Sequence, residues 1–254
     1  MAKQYVTEAI LLAVRDAAHA DRVVTLFSRQ LGRITAAAYG ARRGKSRLGG
    51  CLQPFAVVRL SLTENGGVMP AISQCETIHS FRPLREDMER LAYASILAEM
   101  AAELWPEHQV DATVYDMLQD AFHTMCSRNP RLTALACGWQ LMAKAGFLPA
   151  YGECLACGLP LTGNGSHVFS DAMGGAVCSD CQDGPAASFS PDMAALLERM
   201  LCLNWREPGQ FSVAAGTLAA MECVFASYVT YHLERPLKSL AFIRQMEACQ
   251  LGHK

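Results

Sequence analysis

Four of the eleven cysteines form two closely spaced pairs. The first pair is CLAC at 154–157, the second is CSDC at 178–181, and twenty residues separate them. A tight turn can present both thiolates of such a pair to one ion, and two turns complete a tetrahedral site of four sulfurs. We therefore predict one structural zinc ion per chain, bound by Cys154, Cys157, Cys178 and Cys181. The spacing alone leaves an iron–sulfur cluster open as an alternative.

Glycines accompany both cysteine pairs. Gly158 directly follows the first pair, and Gly174 and Gly175 precede the second, where they suit the tight turns of a metal site. Four protein ligands leave no open coordination position, so this metal is expected to stabilise structure and not to catalyse. The other seven cysteines are expected to be ordinary reduced thiols.

A second chemical feature is the basic segment at 40–47, which reads GARRGKSR. A phosphate-binding P-loop needs four residues between its glycines and opens a helix after a buried strand. Here three residues lie between the first two glycines and a loop is expected to follow, so nucleotide hydrolysis is not predicted. We predict instead a flexible, glycine-rich loop that binds nucleic-acid phosphates irrespective of base sequence through Arg42, Arg43, Lys45 and Arg47.

The distribution of charge favours the same interpretation. The formal net charge is −2, but residues 1–80 carry ten basic and five acidic side chains, whereas residues 81–254 carry twelve and nineteen. Between Arg22 and Thr63 there are eight basic residues and no acidic one. A polyanionic partner is therefore expected in the N-terminal part. Tyr39 and Phe55 flank the basic segment and could stack on bases or lie in the core, which is the favoured position for Phe55.

The elements that must position these residues divide the chain in two. Five strands are predicted at 5–14, 21–30, 33–39, 55–62 and 68–78, with a hairpin turn at 65–67, and such short strands suit a small barrel. Helices are predicted at 84–105, 111–127, 132–147, 191–205, 213–233 and 237–248. The expected fold class is α+β, with a barrel at 1–80 and a helical domain at 81–254 that contains a metal-binding insertion at about 150–190.

Several classes of protein are not expected. Uncharged apolar stretches stop short of the roughly 18 residues that a membrane span needs, although hydrophobic residues make up 51% of the chain. The N-terminal MAKQYVTEAI does not fit a secretory signal, so a cytoplasmic protein is expected. The catalytic patterns H-E-x-x-H and G-x-S-x-G are absent, and no catalytic residue is predicted.

Taken together, several motifs resemble the RecO family of bacterial recombination mediators. The resemblance rests on Asp21-Arg22, Leu26-Phe27, Gly32-Arg33, the element at 40–43 and the run at 52–55. The four cysteines with their preceding glycines, and ERPLKSLAFI at 234–243, extend it over most of the chain. It implies an N-terminal OB-fold followed by an all-α domain with an embedded zinc finger of four cysteines, and a protein that is not an enzyme.

The resemblance also implies partners and site residues. Family members bind single- and double-stranded DNA, anneal complementary strands, and act with RecR to load RecA onto DNA coated with single-strand binding protein, in the cytoplasm at the nucleoid. Here the DNA-binding role would fall on Arg22, Arg33, Arg42, Arg43, Lys45 and Arg47. Docking of the C-terminal tail of single-strand binding protein would fall near Arg235 and Lys238. The alternative is a zinc-containing protein-interaction or transcription-associated module without a direct DNA function.

Overall fold

A computed structural model describes residues 3–44, 46–64, 66, 69–161, 167–184, 186–209 and 212–251. The chain forms two compact units, Met1–Arg131 and Leu132–Lys254. Three residues of the predicted hairpin turn and fifth strand, Asn65, Gly67 and Val68, lie outside the described residues.

The first unit begins with a closed five-stranded barrel. Its strands are β1 (Lys3–Asp16), β2 (Arg22–Ser28), β3 (Gly32–Ala38), β4 (Val57–Glu64) and β5 (Ala71–His79). Around the barrel their order is β1-β2-β3-β5-β4. The strands are antiparallel except for β3 and β5, whose parallel pairing joins Ala37 to Ala71. This architecture confirms the predicted five-stranded OB-fold barrel.

Alternation of apolar and polar residues explains how the strands close. In β4, Val58, Leu60 and Leu62 are buried in the barrel, whereas Arg59 between them is exposed. In an extended strand successive side chains point to opposite faces, so one face supplies the core and the other meets solvent. The same core contains Leu26 of β2 and other apolar residues of β1 and β3.

A short helix lies where the sequence predicted a loop. Helix α1 covers Arg47–Cys51, and Leu48 packs against the barrel core while Leu52, four residues further on, is buried in it. The prediction that a loop follows the basic segment was therefore wrong, because an i,i+4 pair of leucines anchors one helical turn. Gly49 permits this approach, since a Cβ there would collide with the carbonyl oxygen of Ala41.

Three further helices complete the first unit, α2 (Pro83–Glu86), α3 (Met88–Leu104) and α4 (Ala112–Met125). The single helix predicted at 84–105 is divided at Asp87, whose extended backbone and side chain cap α3 by accepting from the backbone N–H of Arg90. Helix α4 contacts the turn that leads into β4, where the rings of Phe55 and Phe122 lie 5.4 Å apart. The compact unit that contains the barrel and these helices runs to Arg131.

The second unit is helical with a small sheet inserted. It contains all but the first two residues of α5 (Pro130–Lys144), and in addition β6 (His167–Ser170), β7 (Gly175–Cys178), β8 (Ala187–Ser188), α6 (Pro191–Leu201), α7 (Ala215–Leu233) and α8 (Lys238–Leu251). The three strands form an antiparallel sheet in the order β7-β6-β8. The core is aromatic, and Trp139 lies at ring distances of 5.2 to 6.1 Å from Phe225, Tyr228 and Phe169. These elements confirm a helical domain with an embedded cysteine-bearing insertion. Across the described ranges, no helix combines the length and hydropathy required to cross a bilayer.

Candidate metal site and nucleic-acid interface

The four predicted ligand cysteines converge. Cys154 and Cys157 belong to one turn, Cys178 ends β7, and Cys181 ends the 3-10 turn that follows. Their four sulfur atoms all lie within 4.8 Å of one another, and those of Cys157 and Cys178 are 3.9 Å apart. With zinc–sulfur bonds of about 2.3 Å, a regular tetrahedron places its sulfurs about 3.8 Å apart. The cluster therefore has the size of a site for one tetrahedral ion.

Backbone hydrogen bonds form the turns that carry these thiols. The N–H of Gly158 donates to the carbonyl of Cys154 at 2.8 Å, and Gly158 itself has a φ of +72°, which is costly for residues with a Cβ. Gly175 lies against the backbone of Ala150, where a Cβ would not fit. Gly158 and Gly175, two of the three glycines singled out in the sequence, therefore serve the close turns of this site.

The electrostatics of the cluster suit a cation. Hydrogen bonds from the backbone N–H groups of Cys178 and Cys157 lower the pKa of Cys154 to about 6. The neighbouring sulfur of Cys178, followed by that of Cys157, raises the pKa of Cys181 to about 12. One sulfur thus favours the thiolate form while a neighbour retains its proton in the absence of a cation. A divalent ion that binds all four sulfurs would displace the remaining thiol protons and balance part of the negative charge of the thiolates.

The cysteine cluster packs against a small apolar core. Cys154 is buried and packs with Val168 and Val177, whereas Cys157 is exposed. Because this apolar core contains only a few residues, a bound metal that cross-links the cysteines would supply much of the stability of the insertion.

In the first unit, two predicted DNA-binding residues meet at one end of the barrel. Arg22 begins β2 and donates its Nε–H to Oδ1 of Asp16 at 3.2 Å, and Arg42 follows β3 and forms an ion pair with the same carboxylate at 3.6 Å. Arg22 also donates to the carbonyl of Gly49 at 3.4 Å, and Arg42 donates to that of Ala17 at 3.2 Å. The two arginines are thereby held beside each other.

The basic segment also carries the exposed Arg43 and Arg47, and the exposed Tyr39 directly precedes it. The Tyr39 side chain is 59% exposed, which leaves its ring face available for stacking. The turn between Tyr39 and Arg43 is fixed by Asp21, whose carboxylate accepts from the N–H of Gly40 at 2.6 Å. Lys45, the remaining basic residue predicted in this segment, lies outside the described residues.

Phe55 and Arg33 have different surroundings. Phe55 is 2% exposed and contacts Phe122, so it belongs to the core, as favoured from the sequence. Arg33 lies near the start of β3, and its Nε–H donates to the carbonyl of Trp105 at 2.7 Å. Tyr39 follows the opposite end of that strand. Arg22 and Arg42 are thus brought together, whereas Arg33 connects the barrel to the segment after α3.

Sequence reasoning missed Asp16 as a partner of the basic residues. Asp16 lies outside the acid-free interval, but the β1–β2 hairpin places it directly opposite Arg22. The register of that hairpin was the signal that could have revealed the contact. Arg59, counted among the basic residues, is likewise engaged by Glu8 at 2.8 Å.

The two candidates for tail docking lie close together in the chain. Arg235 follows the end of α7, Lys238 begins α8, and both are exposed. Glu234 between the helices adopts a left-handed backbone conformation with a φ of +56°, which ends α7.

Comparison with known proteins gives the class of the chain. The family described as "Recombination protein O N terminal" matches residues 1–81, and "Recombination protein O C terminal" matches residues 85–241. The barrel and the helical domain therefore correspond to the two domains of a class of DNA recombination and repair proteins.

Similar full-length proteins specify the family. The chain is 34% identical to the DNA repair protein RecO of Pelotomaculum thermopropionicum over 252 residues, which cover 98% of this chain and 97% of the relative. It is 30% identical to the protein of the same name from Symbiobacterium thermophilum, with 97% and 99% covered. The corresponding Nocardioides protein is 34% identical, with 95% and 99% covered. The chain belongs to the RecO family of DNA repair proteins.

Proposed function

We propose that this protein is a non-enzymatic recombination mediator that binds single- and double-stranded DNA through the end of its barrel. The observation that carries the proposal is the convergence of Arg22 and Arg42 on Asp16, with the exposed Tyr39, Arg43 and Arg47 within five residues of Arg42 in the chain. Guanidinium groups bind phosphates without regard to sequence, and an exposed aromatic ring can stack on an unpaired base. Lys45 is included in the proposed set because of its place in the same segment.

Arg33 has a smaller proposed part in DNA binding. Its Nε–H is engaged by a backbone carbonyl, so only the rest of its guanidinium could meet a phosphate. We expect its replacement to affect the stability of the first unit more than its affinity for DNA.

A salt titration tests the DNA-binding proposal. A labelled oligothymidylate is titrated with the full chain at several sodium chloride concentrations, and the triple variant R42A/R43A/R47A is compared. Losing three phosphate contacts should reduce the slope of log K against log salt by about 2 on single-stranded DNA. The matched control R29A/R59A/R82A removes three exposed arginines that pair with acidic side chains elsewhere in the first unit. Equal slopes for the wild type and R42A/R43A/R47A would refute the assignment of binding to this segment.

The wider mediator role belongs to the same proposal. We propose that the protein anneals complementary strands and, with RecR, promotes RecA loading on DNA covered by single-strand binding protein, in the cytoplasm at the nucleoid. Membership of the family supports this role. An annealing assay with and without RecR tests it, and strand cleavage or nucleotide hydrolysis by the purified protein would contradict a non-enzymatic function.

For the metal site we propose one zinc ion bound by Cys154, Cys157, Cys178 and Cys181. The dimensions of the sulfur cluster support a tetrahedral ion with a structural role. Elemental analysis of freshly purified, reduced protein should give one zinc per chain, and C178S should lose it. Iron, or no metal, would contradict the proposal.

We propose that Arg235 and Lys238 help to bind the acidic and hydrophobic C-terminal tail of single-strand binding protein. Their exposure and positive charge support the proposal, since opposite charges steer such a tail to its site. A fluorescent tail peptide should bind the wild-type chain more tightly than R235E/K238E. Equal affinity for both would refute this location.

A second candidate function is a protein-interaction module centred on the metal site. The observation that favours it is the exposure of Leu155 and Leu159, at 41% and 63%, beside the first cysteine pair. The variant L155S/L159S should retain DNA affinity under the mediator proposal. If the same variant lost a protein partner while the chain bound no DNA, the second candidate would replace the first.

A further inference from the structure

Asp16 forms ion pairs with Arg22 and Arg42, two of the residues that we propose bind DNA phosphates. It is the last residue of β1, and its side chain is 61% exposed. Its two carboxylate oxygens face two different guanidinium groups, Arg22 through Oδ1 at 3.2 Å and Arg42 through Oδ2 at 3.6 Å. A DNA phosphate carries the same charge and the same kind of acceptor oxygens, so it would approach these guanidinium groups in competition with Asp16.

The two arginines do not depend on Asp16 alone for their positions. Arg22 also donates to the carbonyl of Gly49 in α1, and Arg42 to that of Ala17. The backbone of Arg42 is held as well, because its N–H donates to the carbonyl of Ala20 at 3.0 Å. These neutral contacts would remain if the carboxylate lost its charge, so the main effect of Asp16 on the site is electrostatic.

From this geometry we infer that Asp16 is an internal competitor for DNA, which lowers the affinity of the arginine pair and makes the bound strand easier to release. The inference rests on the proposed DNA-binding function and assigns a regulating residue to that same site. When a phosphate binds, it displaces the carboxylate from Arg22 and Arg42, and Asp16 turns to solvent. When the strand leaves, the carboxylate returns to the same two groups.

The size of the effect follows from the exposure of the pairs. An exposed ion pair changes the equilibrium constant for its own formation by up to about fivefold. Here two weak pairs share the Asp16 carboxylate, and both would have to break when a phosphate binds. We therefore expect D16N to bind single-stranded DNA about threefold to tenfold more tightly than the wild type at low salt. If the freed guanidinium groups engage one further phosphate, the slope of log K against log salt should steepen by about 0.7.

The alternative role for Asp16 predicts the opposite sign. If the carboxylate served mainly to position the arginines, its neutralisation would loosen them and weaken binding. Asparagine preserves the size of the side chain and its capacity to accept a hydrogen bond, so the variant isolates the charge.

The chain offers a matched control in D116N. Asp116 on α4 pairs with Arg29 at 2.9 Å, and its side chain is 41% exposed. Arg29 follows the end of β2, whereas Arg22 begins it, so this pair lies at the other end of the strand. D116N makes the same change in net charge without touching the arginine pair at Asp16.

The experiment compares the wild type, D16N and D116N by fluorescence anisotropy with a labelled oligothymidylate, from 50 to 300 mM sodium chloride. Tighter binding by D16N, with D116N close to the wild type, supports the inference. Affinity of D16N equal to that of D116N, or weaker than that of the wild type, overturns it. A wild type that binds no DNA would instead refute the proposed function, and the inference with it.

A double-mutant cycle assigns the effect to the arginines. In the background R22A/R42A, the substitution D16N should no longer raise the affinity, because the groups it releases are gone. An equal gain in both backgrounds would overturn the inference. Thermal unfolding of each variant verifies that the barrel is intact.

Discussion

Replacing Gln140 with leucine should destabilise the second unit strongly, because this one amide satisfies a group of buried polar atoms. The Nε2 of Gln140 donates to the carbonyls of Met200 at 2.8 Å and Leu203 at 2.9 Å, and lies 3.3 Å from that of Leu201. Its Oε1 accepts from the indole N–H of Trp205 at 2.6 Å. The last carbonyls of a helix have no partner within it, so Gln140 completes the end of α6.

The magnitude follows from these contacts. Leucine has a similar size but can neither donate nor accept, so Q140L removes three short hydrogen bonds and leaves the Trp205 N–H unsatisfied. At about 1 kcal/mol for each bond, the free energy of unfolding should fall by about 3 kcal/mol. Gln140 is 9% exposed, so water has little access to replace the lost bonds.

Urea unfolding followed by tryptophan fluorescence measures this loss, because Trp205 lies in the affected contact. The matched control is Q245L on α8, where the same substitution at an exposed position should change stability by less than about 0.5 kcal/mol. A loss below about 1 kcal/mol for Q140L would refute the assignment of Gln140 as the group that stabilises the end of α6.

Three further predictions follow from packing, capping and burial. G138A should lower the melting temperature by several degrees, because a methyl group on α5 would collide with the ring of Phe225 in the core. No change on calorimetric melting would contradict this contact. D111A should cost about 1 kcal/mol in urea unfolding, since Asp111 accepts from two backbone N–H groups at the start of α4, and D111N should recover most of it. Burial lowers the pKa of His232 in the folded protein, so the unfolded chain binds the proton more readily. The resulting stability is present above about pH 6.5 and is lost as the pH falls below it. H232F should therefore lose less stability than the wild type between pH 7.5 and 5.5, and equal losses would contradict the role of His232.

Elements with one strong local signal could be predicted from the sequence. The strand predicted at 55–62 corresponds to β4, and the helix predicted from 191 corresponds to α6, where the Ser190 side chain caps the first turn. The cysteine spacing was sufficient for the cluster, because each C-x2-C pair is a local turn and only two turns have to meet. The assignment of the barrel as an OB-fold depended in addition on the resemblance to a family.

Features that depend on tertiary contacts could not be predicted in this way. Helix α1 contains two glycines in five residues, so its intrinsic helix propensity is weak. It is stabilised by the packing of Leu48 against the barrel core. The contact within the first unit between Phe55, in the turn before β4, and Phe122 of α4 likewise depends on tertiary packing. Asp16 lies outside the acid-free interval of the sequence, so its contact with Arg22 could not be predicted from that interval. The contact depends on the register of the β1–β2 hairpin, which pairs the two residues.

The closure of the barrel has a consequence for its motion. Within the described residues, β3 and β5 pair only at Ala37 and Ala71, and the N–H of Ala37 donates to the carbonyl of Pro70 at 2.8 Å, whereas the other neighbouring strands pair along most of their lengths. Local opening of a folded protein begins where few hydrogen bonds must break together, so this seam is where the barrel should open first. Ala37 stands two residues before Tyr39, at the base of the basic segment. Opening the seam would therefore separate β3 from β5 beside that segment, while the pairing of β3 with β2 through Ala38 and the hydrogen bond from Gly40 to Asp21 would keep the arginines in place.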